Sequence, residues 1–224
     1  MNIPTFLPDN GTIGLVAPSF GANKEPYTTR MKAAIKKFKE KGYKLKIFGD
    51  IFGYKMGASD KKESRAKHFI DAYKDKEVDI IWSVGGGELM IEILPFINFE
   101  ELKKYPKKLY IGYSDNTNLT IPLLTHLEML TVYGYNFPTF GLNELDESVI
   151  NTLKLVKGNK IIQYASKFHE PRELKEKRPL DPFTLTEPTK WINLYEKDTK
   201  IEGRLIGGVM DILLHHLGTP YKGF

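Results

Sequence analysis

Short apolar segments alternate with amphipathic segments along the first two thirds of the chain, and this alternation limits the possible folds more than any other feature. The apolar segments have the continuous hydrophobic runs of strands that are buried on both faces. The amphipathic segments space their apolar residues as a helix does. We therefore predict an α/β fold, with a parallel sheet flanked by helices in a flavodoxin-like arrangement, plus the beginning of a second domain. The predicted strands are residues 12–17, 44–48, 78–84, 108–112 and 130–133, and the predicted helices include residues 27–41, 88–94, 116–127, 147–156 and 209–217. Ser59 could cap one further helix, which would place Ala66, Phe69, Ile70 and Tyr73 on one face.

The domain organisation follows from a change of pattern after about residue 143. Residues 164–188 are polar, contain prolines and have weak periodicity, as a linker or an extended crossing segment does. Residues 191–195 and 201–208 return to patterns that predict strands. The predicted units are a nucleophile domain (1–145), a helix and linker (146–190) and the start of an incomplete second domain (191–224).

Three loops are candidates for function because they follow predicted strands. In a parallel sheet, functional loops lie beyond the carboxyl ends of the strands. The loops are residues 18–19, 85–87 and 113–115.

Composition excludes several classes of protein. The chain has no cysteine, which excludes a disulfide framework and thiolate chemistry and fits the cytoplasm. Its net charge of +5 comes from dispersed lysines without interleaved aromatic residues, so we expect no nucleic-acid partner. Its apolar runs are too short to cross a bilayer, and its start does not read as a secretory signal. We expect no membrane partner and no cofactor.

Ser114 is the sharpest candidate for chemistry. It lies on a tight turn between a buried strand and a helix, which is the setting of a nucleophile elbow. The backbone N–H of Asp115 and one N–H from the glycine loop could hold a developing oxyanion. The second glycine of the G-x-S-x-G pattern is absent, because Asn116 stands in its place. The alternative is that Ser114 and Asp115 only cap the helix.

The glycine loop, Gly85-Gly86-Gly87, has three interpretations. It could form an oxyanion hole or a loop that contacts substrate, it could cradle a phosphate, or it could be a turn that needs glycine dihedral angles. Met90 replaces the third glycine of a dinucleotide-binding motif, and no Gly-Lys-Ser/Thr follows as in a P-loop. Nucleotide binding is therefore disfavoured.

No histidine is a convincing base for Ser114. His126 ends the helix that begins at the elbow, about three turns from Ser114 at roughly 1.5 Å per residue. His215 and His216 are adjacent in a helix and cannot face the same way. No spacing of histidine, aspartate and glutamate matches a metal site. The remaining histidines are His68 and His169.

Residues 111–119, Ile-Gly-Tyr-Ser-Asp-Asn-Thr-Asn-Leu, resemble the G-Y-S-D-x-T-x-L nucleophile motif of the LD-carboxypeptidase family of serine peptidases. Other family segments are matched in the same order along the chain. They are residues 11–19, Ala58-Ser59-Asp60 with Arg65-Ala66, 85–87, 131–134, 205–208 and 217–221.

The resemblance implies a Ser-His-Glu triad with Ser114 as nucleophile. It implies Gly86 and Asp115 as oxyanion-hole donors, and we expect Gly85, Gly87 and Ser19 to contact the substrate. The family's glutamate and histidine follow the segment that residues 217–221 resemble, and no residue here matches them. Val209 is a further departure, because the family usually has asparagine there.

The implied activity is hydrolysis of an L-D bond in murein peptides, through an acyl-enzyme on Ser114. Because the triad glutamate and histidine have no counterpart, we expect this chain alone to be nearly inactive, and we expect helix 209–217 to expose its apolar face. The alternatives are an immunity peptidase that cleaves a peptide-nucleotide, as in resistance to microcin C, and a non-catalytic remnant that binds peptides. The expected partner is a small peptide substrate, and a homodimer is left open.

Overall fold

Five short parallel strands form one sheet in the order β2-β1-β3-β4-β5, in a computed structural model that describes residues 3–171, 178–194 and 199–221. All four pairings between neighbouring strands are parallel, which confirms the predicted α/β sheet. The strands are β1 (Thr12–Val16), β2 (Lys44–Phe48), β3 (Ile80–Ser83), β4 (Leu109–Gly112) and β5 (Val132–Tyr133).

Helices cover both faces of this sheet, as the alternation predicts. They are α1 (Tyr27–Glu40), α2 (Lys62–Lys74), α3 (Phe99–Leu102), α4 (Thr117–His126), α5 (Glu147–Val156) and α6 (Met210–Leu217). Short 3₁₀ helices lie at Met90–Phe96, Ser114–Asn116 and Phe137–Gly141, and a small antiparallel pair joins β6 (Phe168–His169) to β7 (Glu187–Pro188). None of the helices in the described ranges is long and apolar enough to cross a membrane.

Consecutive side chains of the central strand β3 point to opposite faces of the sheet, so this strand contributes to two hydrophobic cores. Trp82 lies on one face, where its ring contacts Phe137 and Phe140. Ile81 lies on the other face, in the cluster that contains Phe69 and Tyr110. Full burial of each such side chain stabilises the fold by about 1.5–3 kcal/mol, so the sheet is held rigidly from both sides. This rigidity fixes the strand ends from which the functional loops start.

Three predicted elements differ from the structure. The segment predicted as a helix over 88–94 is the 3₁₀ helix Met90–Phe96, and Pro95 inside it cannot donate a backbone hydrogen bond. No strand forms over 191–194 or 201–208, while Tyr195 lies outside the described residues. Leu205 is 99% exposed, and none of the strands in the described part of the chain pairs with these segments.

Helix α6 forms where it was predicted, and it exposes apolar side chains as expected. Leu214 is 56% exposed and Leu217 is 50% exposed. The buried residue of this helix is instead a polar one, His216.

Candidate active site

The loops that follow β1, β3 and β4 meet at one edge of the sheet, because these three strands are neighbours. Hydrogen bonds tie each loop to the next. The N–H of Phe20 donates to the carbonyl of Gly86 over 3.0 Å. Asn116 Nδ2 donates to the carbonyl of Gly85 over 3.0 Å. These are the three loops that the sequence pattern predicts to be functional, and the structure brings them together into one candidate site.

The backbone at Ser114 is strained. Its φ angle is +65°, a left-handed conformation that residues other than glycine adopt rarely and at a cost of about 1–3 kcal/mol. Tyr113 before it is extended, and a 3₁₀ turn and helix α4 follow. This sharp strand-to-helix turn leaves the side chain only partly buried. Ser114 Oγ forms no hydrogen bond with any described residue, so the hydroxyl is free to meet a ligand.

Gly86 is the member of the glycine loop that faces Ser114. A Cβ atom added at Gly86 would lie 3.1 Å from Ser114 Cβ and 3.2 Å from Ser114 Oγ. The same atom would lie 3.6 Å from the backbone nitrogen of Asp115. A side chain at Gly86 would therefore enter the space next to both the Ser114 hydroxyl and the backbone nitrogen of Asp115, one of the two oxyanion donors expected from the sequence.

Asp115 lies behind the nucleophile turn, and its carboxylate holds the turn in place. Its side chain is 3% exposed. Oδ2 accepts hydrogen bonds from Ser19 Oγ at 2.5 Å and from the N–H of Met90 at 3.0 Å, while Oδ1 accepts from Asn118 Nδ2 at 2.7 Å. The carboxylate points into the protein, whereas its N–H lies in the first helical turn, where N–H groups lack helical partners.

Ser19 lies beneath the site and not on its surface. It is fully buried, and its hydroxyl donates to Asp115. Gly85 and Gly87 do line the cleft beside Ser114, but Ser19 does not. Substrate contact by Ser19 stays a prediction that these contacts do not support, and its observed role is to fix Asp115.

A cleft of about 490 Å³ opens in front of Ser114 and the glycine loop. Aromatic side chains on its walls are partly exposed, with Phe20 at 41%, Tyr27 at 51% and Tyr113 at 38%. Lys24 and Glu88 bring one charge of each sign. The cleft can therefore take a ligand that has both apolar and charged groups.

The described histidines do not supply a base. His216 Nε2 bonds to Asn118 Oδ1 at 2.9 Å, and the ring of His126 stacks on Phe99 with centroids 5.1 Å apart. No histidine in residues 3–171, 178–194 and 199–221 hydrogen-bonds to Ser114 Oγ. Within the same ranges, no group of three or more histidine, aspartate or glutamate residues could hold a metal ion.

Arg65 braces the loops from below, a role that the sequence pattern did not reveal. Arg65 is 2% exposed, and its guanidinium donates to the carbonyl of Pro18 at 2.7 Å and to that of Leu89 at 2.9 Å. Ser59, which we predicted to cap α2, lies before Lys61, the residue that precedes the helix. The Ser59 hydroxyl instead donates to the carbonyl of Ala17 at 2.5 Å. The cap prediction was wrong because this long-range contact takes the hydroxyl away from the helix.

Two further polar side chains hold the turn. Asn116 is fully buried and accepts a hydrogen bond from the hydroxyl of Tyr110. Burial raises the pKa of Tyr110, which keeps it a neutral donor. Tyr133, on β5, accepts a hydrogen bond from the N–H of Ser114 at 3.0 Å. Because this N–H is occupied, the candidate oxyanion donors beside Ser114 are the N–H groups of Asp115 and of the glycine loop.

We expect Tyr133→Phe to lower the free energy of unfolding by about 1 kcal/mol, because the N–H of Ser114 loses its acceptor. Urea denaturation followed by circular dichroism measures the change. The matched control is Tyr164→Phe, at a side chain that is 70% exposed, with an expected change within about 0.5 kcal/mol. Equal midpoints for both variants would show that the Tyr133 hydroxyl does not support the turn.

The fold and the site together define a class of protein. A parallel α/β sheet presents a serine at positive φ, on a strand-to-helix turn, against a glycine loop. This is the arrangement of hydrolases that carry their serine on a nucleophile elbow. The sequence profile of the LD-carboxypeptidase N-terminal domain matches residues 13–134, and the chain belongs to this family. The resemblance found in residues 111–119 is thereby confirmed.

Curated relatives include proteins of two kinds. A probable murein peptide carboxypeptidase of Bacillus subtilis (strain 168) is 26% identical over 223 residues, covering 98% of this chain and 60% of the relative. The microcin self-immunity protein MccF of Escherichia coli is 26% identical over 237 residues, covering 94% of this chain and 62% of the relative. The chain thus spans about three fifths of the length of these relatives.

Solved structures share the fold. MccF in complex with aspartyl sulfamoyl adenosine has a TM-score of 0.78 at 24% identity, covering 99% of this chain and 67% of that one. A muramoyltetrapeptide carboxypeptidase from Oxalobacter formigenes has a TM-score of 0.64 at 22% identity, covering 94% of this chain and 61% of that one.

Proposed function

We propose that this chain carries the nucleophile of a serine carboxypeptidase of the LD-carboxypeptidase type, which hydrolyses an L-D bond in murein peptides. The observation that carries the proposal is the placement of Ser114. Its hydroxyl is free, its backbone is strained at a φ of +65°, and Gly86 leaves an open space beside it. A residue that only capped the helix would not need this strain.

The chemistry would follow from this geometry. A base takes the proton of Ser114 Oγ, and the oxygen attacks the peptide carbonyl to give a tetrahedral intermediate. The N–H groups of Asp115 and Gly86 donate to the oxyanion, the amine leaves with a proton, and water then releases the acyl group from Ser114. No described residue accepts a hydrogen bond from the N–H of Gly86, so this donor is available.

The described residues hold the nucleophile and the oxyanion donors, but they bring no imidazole to Ser114. We therefore expect the 224-residue chain by itself to hydrolyse a murein tetrapeptide at least about 10⁴-fold more slowly than the roughly 10 s⁻¹ typical of enzymes. Release of D-alanine, followed by chromatography, measures the rate on a sample shown to be folded. Turnover on the order of 1–10 s⁻¹ would contradict the expectation and would place a base among these residues.

The experiment that tests the proposed function uses a gene product that includes the triad histidine and glutamate implied by the family resemblance. The wild type is expected to release D-alanine from the tetrapeptide, and Ser114→Ala is expected to release none. An equal rate in the two proteins would refute Ser114 as nucleophile. If the wild type binds the peptide but does not hydrolyse it, the result would favour the alternative that the protein binds peptides without cleaving them.

A second candidate function is cleavage of a peptide-nucleotide. The aromatic rings of Phe20, Tyr27 and Tyr113 on the cleft walls favour it, because a nucleobase can stack on such rings. Assay of both substrate types on the same gene product separates the candidates. A kcat/KM at least about tenfold higher for an aminoacyl sulfamoyl adenosine than for the murein tetrapeptide would favour this second function.

A further inference from the structure

The nucleophile turn is held by residues from the far end of the described chain. Two separate hydrogen-bonded paths reach it, one through a side chain of α6 and the other through the backbone just before that helix. Each path runs through one residue at the start of α4. Neither path was visible in the sequence motifs, because the partners lie more than 90 positions apart.

The first path begins at His216, which is fully buried. Its Nε2 lies 2.9 Å from Asn118 Oδ1, and Asn118 Nδ2 donates to Asp115 Oδ1 at 2.7 Å and to the carbonyl of Asp115 at 3.1 Å. The NH₂ group of the Asn118 side chain donates both of its hydrogen bonds to Asp115. The Asn118 Oδ1 atom can only accept, so His216 Nε2 must be the donor. The imidazole is therefore protonated on Nε2.

The remaining ring nitrogen of His216 supports this assignment. Nδ1 is buried and has no hydrogen-bond partner among the described residues. Burial lowers the pKa of His216 below its usual value, and the neighbouring His215 lowers it further. A neutral ring with one N–H, directed at Asn118, fits both observations. A buried side chain with a single polar contact depends on that contact for its orientation.

The second path begins at the backbone of Val209. Its N–H donates to Thr117 Oγ1 at 3.0 Å, and that hydroxyl donates to the carbonyl of Ser114 at 2.8 Å. Gly208 permits this approach, because a Cβ atom there would lie 2.5 Å from Thr117 Cγ2. The first path thus ends on Asp115, which would present an oxyanion donor, and the second ends on Ser114, which would present the nucleophile.

We infer that residues 208–216 form a brace that positions the oxyanion hole, with His216, Asn118 and Thr117 as positioning residues. The expected effect of the brace on catalysis rests on the proposed function, whereas its effect on the structure of the turn does not. The brace sets the orientation of the Asp115 peptide group, whose N–H must point at the oxyanion and not at the ground-state carbonyl. Loosening the brace should therefore lower kcat and leave KM nearly unchanged.

The test compares variants at one position in the complete gene product. His216→Leu removes the donor to Asn118, and His216→Gln offers a replacement N–H. We expect amide hydrogen exchange at residues 114–118 to become at least about tenfold faster in His216→Leu and to return towards wild type in His216→Gln. We expect kcat to fall about tenfold in His216→Leu with KM within about twofold, and to recover in His216→Gln.

The controls keep the result interpretable. His215→Leu changes the exposed neighbour on the same helix and should leave exchange at residues 114–118 as it is. If His216→Leu does not fold, Thr117→Val replaces it, because that variant removes only the hydroxyl of the second path. Nitrogen-15 NMR of histidine should show the His216 ring protonated on Nε2.

Each outcome decides the inference. Unchanged exchange at residues 114–118 in His216→Leu and in Thr117→Val overturns the brace, whatever the catalytic result. Protonation of His216 on Nδ1 alone overturns the first path. Faster exchange in a protein that hydrolyses neither substrate type keeps the brace and refutes the proposed function, so the two failures are distinguishable.

Discussion

Gly86→Val is expected to lower kcat of the complete gene product by about 100- to 1000-fold, which is the usual effect of losing one oxyanion donor. The reason is steric, because the first atom of the new side chain would lie 3.2 Å from Ser114 Oγ and 3.6 Å from the nitrogen of Asp115. The valine methyl groups would fill the space in which the oxyanion should sit. Steady-state hydrolysis of the murein tetrapeptide measures the effect.

The control for this variant is Gly203→Ala, where an added Cβ atom meets nothing within 4 Å. It should hydrolyse at the wild-type rate. The near-ultraviolet circular dichroism spectrum of Gly86→Val should match that of the wild type, because the cleft in front of Gly86 is open to solvent. A kcat for Gly86→Val within about threefold of wild type would show that the oxyanion does not bind at this loop, against the loss of at least about 100-fold expected.

Ser114→Gly is expected to stabilise the protein by about 1 kcal/mol and to lower hydrolysis by at least about 10⁴-fold. Glycine adopts a φ of +65° without the strain that serine has there, and no hydrogen bond of Ser114 Oγ to a described residue is lost. Ser114→Ala should lose hydrolysis equally but gain no stability, since alanine keeps the strained Cβ. Chemical denaturation and D-alanine release measure the two effects.

Met56→Gly is the matched control for the backbone effect. Met56 also has a positive φ, of 50°, and its side chain is 95% exposed. This variant should gain stability to a similar degree and keep full hydrolysis. If Ser114→Gly is instead destabilised, the turn is not strained, and backbone strain no longer supports a functional role for Ser114.

Local pattern was enough to predict the sheet and the place of the site. Buried strands of this kind have hydrophobic runs that can be read directly, and their loops must meet beyond the carboxyl ends of neighbouring strands. The motif around Ser114 therefore gave its position on the turn as well as the family. Which of the three glycines faces the serine depended on the path of the loop, and the structure shows that it is Gly86.

Contacts between distant segments could not be predicted from a single sequence. Tyr133 was recognised only as part of a strand, yet its hydroxyl holds the N–H of Ser114. Ser59 and His216 have partners 42 and 98 positions away, and nothing in their local pattern marks those partners. The apolar residues of 201–208 suggested a strand, but strand formation depends on a neighbouring edge that this segment does not meet.

The most direct test of the central claim is to map, by mass spectrometry, where a peptidyl phosphonate attaches to the complete gene product. The expected result is one adduct on Ser114, formed in step with the loss of D-alanine release and absent in Ser114→Ala. An adduct on another residue that abolishes hydrolysis, or full hydrolysis by a protein labelled at Ser114, would contradict the account.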